Sequence, residues 1–95
     1  MVKFTCQVNL VKWPSLEIVP FGQIEVFLHG TFLWWPVDNY QFTATADFNG
    51  ISRFLIDGGN TYRFYAEGKD ATGKTIKGNW IGKVTSNQNL VMYLT

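Results

Sequence analysis

The stretch Phe4-Thr5-Cys6-Gln7-Val8-Asn9-Leu10 alternates apolar and polar side chains without a break. Successive side chains of a strand point to opposite faces, so the pattern predicts a β-strand with Phe4, Cys6, Val8 and Leu10 turned toward a core. The same period of two recurs downstream. Ile24, Val26 and Leu28 alternate with Gln23, Glu25, Phe27 and His29. Tyr40, Phe42, Ala44 and Ala46 alternate with Gln41, Thr43, Thr45 and Asp47. Ser52, Phe54 and Ile56 form a further set, and so do Tyr62, Phe64 and Ala66. Lys74 to Ile81 and Leu90 to Leu94 complete about seven predicted strands. Asp47-Phe48-Asn49-Gly50, Asp57-Gly58-Gly59-Asn60 and Asp70-Ala71-Thr72-Gly73 are turn sequences between them. With no helical stretch, the expected fold is all-β, a single antiparallel β-sandwich occupying residues 1–95.

Composition narrows the function. The chain has 95 residues, a net charge of +1 and only 16% charged residues. That balance excludes a disordered tail and gives no general electrostatic attraction for nucleic acid or anionic lipid. Lys69, Lys74, Lys77 and Lys83 fall late in the chain, where strand lysines commonly guard sheet edges; no nucleic-acid partner is expected. No run approaches the ~20 apolar residues of a membrane helix, so no membrane span is expected. No basic segment followed by an apolar run marks a signal peptide, and localisation stays open. Cys6 is the one cysteine, so no internal disulfide forms; on the apolar face it reads as an inert thiol.

Gly22 to Thr95 carries a resemblance. Gly22-Gln23-Ile24-Glu25-Val26-Phe27-Leu28 resembles the opening strand of prealbumin-like, carboxypeptidase-regulatory-type or Cna-B-type sandwiches. Thr45-Ala46-Asp47-Phe48-Asn49-Gly50 resembles their T-x-D-x-x-G turn. Asn60-Thr61-Tyr62-Arg63-Phe64-Tyr65-Ala66 resembles their G-x-Y-x-F-x-A strand, with Asn60 where glycine is usual. A distant immunoglobulin-like sandwich is nearly as good a match. The resemblance implies an immunoglobulin/prealbumin-like fold and a non-catalytic module. It also suggests a Cna-B-type Lys–Asn cross-link, for which Lys3 or Lys12 with Asn87 or Asn89 are candidates. The acid beside it would be Glu25, although that residue falls on a polar face.

Phe32-Leu33-Trp34-Trp35-Pro36-Val37 is apolar without alternation and lies where a polar connection is expected. It reads in two ways. Either it folds back and plugs one end of the sandwich, or it presents one or both tryptophans to a partner, since Trp and Tyr dominate interface hot spots. On the second reading the candidate contact residues are Phe32, Leu33, Trp34, Trp35 and Val37, joined by Trp13 and Tyr40. Trp13 falls on the face opposite Phe4 and Leu10. Trp80 shares parity with Ile76 and is expected in the core.

The chemistry-bearing residues are few. The three Asp-headed turns lack the ligand spacing and closing Glu of a helix-flanked calcium loop, so they read as ordinary turns and no metal or other cofactor is expected. His29 is the only histidine, and neither a phosphate loop nor a nucleophile elbow is present, so no catalytic residue is assigned. The expected function is a non-catalytic module docking on a protein partner or on copies of itself, such as a phage capsid or tail decoration protein or a surface-appendage domain. The alternative is a carbohydrate-binding module whose exposed tryptophans stack on sugar rings.

Overall fold

A computed structural model describes residues 2–95, apart from the Phe32 side chain. It contains seven strands in two packed sheets: β1 (Lys3–Lys12), β2 (Gln23–Phe32), β3 (Trp35–Thr45), β4 (Ile51–Asp57), β5 (Thr61–Lys69), β6 (Thr75–Lys83) and β7 (Gln88–Leu94). One sheet has the order β4-β1-β7 and the other β3-β2-β5-β6. All strand pairs are antiparallel except β1 with β7, which run parallel from Cys6↔Gln88 to Lys12↔Leu94. The first and last strands thus lie side by side, an arrangement that a reading of consecutive hairpins does not anticipate. The fold is the expected all-β sandwich.

The alternation sets the core. Cys6, Val8 and Leu10 from β1, with Ile56, Met92 and Leu94 beside them, face Ile24, Val26, Phe64, Ala66 and Ile76 of the other sheet, and all are buried. Aromatic rings knit the two layers. Phe54 of β4 meets Phe42 and Phe64 of the opposite sheet edge to face, at 5.4 and 5.5 Å. Trp80, expected in the core, is half-buried and packs against it, its ring over Phe64 at 4.9 Å. Each such ring removes about 150–250 Å² from water, and this lets a small domain without a disulfide hold together. Tyr62 is buried, and its hydroxyl donates to the Asp57 carbonyl at 2.8 Å.

The sheets approach most closely where β6 passes β7. A side chain carbon placed on Gly78 would sit 2.4 Å from the Tyr93 carbonyl oxygen, so only glycine fits there. The Thr95 amide donates to the Lys77 carbonyl at 3.0 Å along the same seam. Lys77 and Lys83 belong to β6, an edge strand, as expected of edge lysines.

Candidate interaction site at the β2–β3 hairpin

β2 and β3 pair from Gln23↔Thr45 out to Phe32↔Trp35. β5, on the other side of β2, covers it only from Gln23 to Leu28. Beyond Leu28 the hairpin therefore continues as a two-stranded ribbon that leaves the sheet. The segment expected as a connection is mostly strand, and Leu33-Trp34 alone makes the turn. Two-residue hairpin turns favour glycine or asparagine at positive φ, and neither is present to signal this one. Leu33 itself takes φ 58° at the first turn position, which glycine fills in a type II′ hairpin.

The tip is open to solvent. Trp34 is 88% exposed, Trp35 70% and Leu33 69%. Of the two readings of this segment, the plug is not the one seen: both adjacent tryptophans stay outside the core. Val37 is half-buried and lines a shallow depression with Gly30, Thr31 and Asn39. Phe32 is placed by its backbone pairing with Trp35, while its side chain lies outside the described part of the structure. No charged residue occurs between Gly30 and Val37.

The ribbon is anchored at its root. A β-bulge shifts the register between Val26 and Phe27, so that Val26 pairs with Phe42 but Phe27 with Tyr40, leaving Gln41 as the extra residue. The bulge corrects the simple alternation. Tyr40 does not share the inner face of Phe42 but turns outward, where it meets Phe27 edge to face at 5.8 Å. The Arg63 guanidinium lies over the Phe27 ring, 4.4 Å from its centroid. Arg63 Nε donates to Asp38 Oδ2 at 2.7 Å, and Arg63 Nη1 donates to Asn79 Oδ1 at 2.8 Å. The other Asp38 oxygen is hydrogen-bonded to His29 Nδ1 at 2.6 Å. The hydrogen bond with His29, aided by Arg63 and opposed by partial burial, holds the Asp38 carboxyl below its ordinary range. Asp38 thereby ties β2, β3 and β5 together where the ribbon departs.

The remaining candidates lie apart. Trp13 follows β1 at the opposite end of the sandwich, exposed and packed edge to face on Tyr93 at 5.4 Å. A single aromatic row of Trp13, Trp34 or Trp35, Tyr40 and Tyr65 does not form. Exposed Leu16, Ile18, Phe21 and Phe48 lie at the Trp13 end, and periodicity gave no sign of them because they occupy connections. Nor did spacing reveal the His29–Asp38–Arg63 cluster, whose members come from three strands.

Other groups are accounted for by local structure. Asp47 Oδ1 accepts from the Asn49 and Ile51 amides, and Asp70 Oδ1 from the Thr72 and Lys74 amides and the Thr72 hydroxyl. These carboxylates close their own turns. Among the described residues no group of three or more His, Cys, Asp or Glu is placed to hold a metal. Cys6 is fully buried on the inner face, and burial pushes its thiol up to about 11. His29 lies on the outward face of the other sheet, so the two do not meet. Lys3 pairs with Asp57 and Lys12 with Asp70, while Asn87 accepts from the Thr5 amide and Asn89 from the Asn9 side chain. Among the described residues no helix is long and apolar enough to cross a membrane.

Comparison with known proteins adds the fold alone. No family model matches the chain, and no curated protein matches it. The crystal structure of a 9R-lipoxygenase from Cyanothece PCC8801 is similar, with a TM-score of 0.55 and 12% sequence identity. The similarity covers 96% of this chain and 16% of that one. At this identity the likeness is one of strand arrangement, and the chain spans only a small part of the enzyme's length.

Proposed function

We propose that the protein is a non-catalytic interaction module that docks on a larger assembly through the tip of the β2–β3 hairpin. A decoration protein of a phage capsid or tail, or a surface-appendage domain, would work in this way. The resemblance to prealbumin-like and Cna-B-type sandwiches, usually non-catalytic, is in keeping with it. The observation that carries the reading is the outward display of Leu33, Trp34 and Trp35 on a ribbon that leaves the sheet. Large aromatic side chains held on a paired backbone lose little entropy on binding, and Trp is enriched among residues whose truncation costs most. Asp38 and Arg63 at the ribbon's root hold the display in place.

The test is a pull-down from an extract of the source organism, with wild-type protein and the Trp34→Ser/Trp35→Ser variant as baits. Loss of the retained partner with the variant supports docking through the tip. Equal retention by both baits rejects it. The two neighbouring exposed indoles also suit stacking on sugar rings, so a fluorescence titration with polysaccharides accompanies the test. Saturable quenching by a polysaccharide, abolished in the same variant, would favour the carbohydrate-binding alternative.

A further inference from the structure

We propose that the protein dimerises through the open edge of β4, two copies pairing antiparallel about a two-fold axis at Leu55. The tip of the β2–β3 hairpin takes no part in the contact.

β4 is an outer strand of the sheet β4-β1-β7. In an edge strand, successive residues turn their backbone N–H and C=O alternately toward the neighbouring strand and toward the open side. The bonds at the two ends of β4 fix which residues do which. The Leu10 amide donates to the Gly50 carbonyl at 2.8 Å, and the Gly58 amide donates to the Val2 carbonyl at 2.8 Å. In the same register Ser52, Phe54 and Ile56 turn toward Val8, Cys6 and Phe4 of β1. Ile51, Arg53, Leu55 and Asp57 therefore turn their backbone groups to the open side. Ile51 is capped twice by Asp47: its amide donates to Asp47 Oδ1 at 3.1 Å, and its carbonyl accepts from the Asp47 amide at 2.9 Å. The Asp57 carbonyl accepts from the Tyr62 hydroxyl and keeps its second lone pair. Among the described residues, nothing caps the backbone of Arg53 and Leu55 or the Asp57 amide on that side. The unpaired stretch thus runs from Arg53 to Asp57, with Leu55 at its centre.

The other edge strands are blunted or covered. β3 carries Pro36 and the bulge at Gln41, both of which oppose strand addition. β6 carries Lys77 and Lys83, and it closes against β7 where Gly78 meets the Tyr93 carbonyl. β4 has no proline, glycine, lysine or bulge.

The side chains select the occupant. Antiparallel pairing centred on Leu55 sets Arg53 opposite Asp57 of the second copy, Leu55 opposite Leu55, and Asp57 opposite Arg53. These side chains share the outer face of the sheet. Arg53 Nε donates to Gln7 Oε1 at 2.7 Å, which leaves its Nη groups for the second copy. Asp57 Oδ1 accepts from Lys3 Nζ at 2.9 Å, which leaves Oδ2. Leu55 is 60% exposed in mid-strand, and its own counterpart covers it. Opposite charges directly across a strand pair stabilise it, and like charges oppose it. The register that joins the free backbone groups is therefore also the register that matches the charges. The contact is isologous, so assembly stops at two chains and joins two three-stranded sheets into one. Because the paired stretch is short, the dimer is weak and forms as concentration rises.

Sedimentation equilibrium over a wide concentration range tests this with wild type, Leu55→Lys, Arg53→Asp, Asp57→Arg, and an equimolar mixture of the last two. Circular dichroism checks that each is folded. The expected wild-type average mass rises with concentration from one chain to two and stops. Leu55→Lys sets like charges against each other on the axis, and each charge variant sets like charges across the outer pairs. Each alone should dimerise about tenfold more weakly or not at all. The mixture should regain wild-type dimerisation, because an acidic edge then faces a basic one. In parallel, amide exchange at Leu55 should slow as wild-type concentration rises, while exchange at Phe54, already bonded to β1, stays constant. A wild type that remains at one chain overturns the proposal. So does a mass that climbs past two chains, a Leu55→Lys variant that dimerises like wild type, or a folded mixture no more dimeric than its components. Leu55→Lys, at an exposed position away from the Lys3–Asp57 pair, keeps the test decisive if Asp57→Arg does not fold.

Discussion

Asp38 on β3 and Arg63 on β5 are paired at 2.7 Å across β2, the strand that lies between theirs. The pair spans the sheet at the point where β5 stops covering β2 and the hairpin runs on alone. It therefore acts as the root of the ribbon that bears Leu33, Trp34 and Trp35. Replacing Arg63 by Ala removes the ion pair, the hydrogen bond to Asn79 and the cation–π contact with Phe27 together. Global stability should fall by about 1 kcal/mol, because the groups are partly exposed and such pairs contribute modestly. Hydrogen exchange should accelerate several-fold at the amides of residues 30–37 and stay unchanged at Ile24 and Val26. Equal exchange in both segments would show that the pair does not brace the ribbon.

Acid should weaken the fold through two carboxylates. His29 and Arg63 hold Asp38 below its ordinary range, and the Thr72 hydroxyl, helped by Lys12 and turn amides against partial burial, does the same for Asp70. A group with a depressed folded-state pKa stabilises the fold fully above its unfolded value, near 3.9 for Asp, and loses that contribution as the pH falls through the folded value. Denaturant midpoints should thus be flat in this respect from neutral pH to about 5 and decline below about 4. In Asp70→Asn the decline should be shallower than in wild type. A variant with an unaltered acid slope would remove Asp70 from this account.

Leu33→Gly should stabilise the protein while reducing what it displays. Relief of a left-handed conformation is worth roughly 1–2 kcal/mol, and the added freedom of glycine in the unfolded chain takes back about 0.4–1. The net gain is about 0–1.6 kcal/mol, centred near 0.8, read as a rise of a few degrees in Tm. A fall in Tm would mean that Leu33 is not strained and that its side chain packs on the fold.

Gly78→Ala should be costly and Gly30→Ala nearly neutral. A carbon at position 78 meets the Tyr93 carbonyl at 2.4 Å, and backbone on β7 cannot yield without parting the β6–β7 seam. Overpacking of this kind costs about 1–3 kcal/mol. At Gly30 nothing lies within 4 Å of the added carbon. Comparing the two urea midpoints checks the placement of β6 against β7.

The alternation of Phe4 to Leu10 and of Tyr62 to Ala66 was enough to read the strands and most of the core, because burial on one face imposes a period of two. It misplaced Tyr40 because one extra residue, Gln41, inverts the faces on the tip side of the bulge. It treated the Trp-Trp segment as a connection because Leu33 sits where a hairpin would carry glycine. The apolar end around Phe21 was illegible for a related reason: the residues occupy connections, where side-chain direction follows backbone turns that no period encodes. The parallel pairing of β1 with β7 depends on contacts between the two ends of the chain, which local pattern does not carry.

Site-specific photocrosslinking in an extract of the source organism tests the docking role of the tip most directly. Benzoylphenylalanine replaces Trp34 in one sample and Lys77, on the edge strand β6, in another. The account predicts a discrete adduct, with a partner protein or with a second copy of the chain, from position 34 and none from position 77. No adduct from position 34, or the same adducts from both positions, would contradict it.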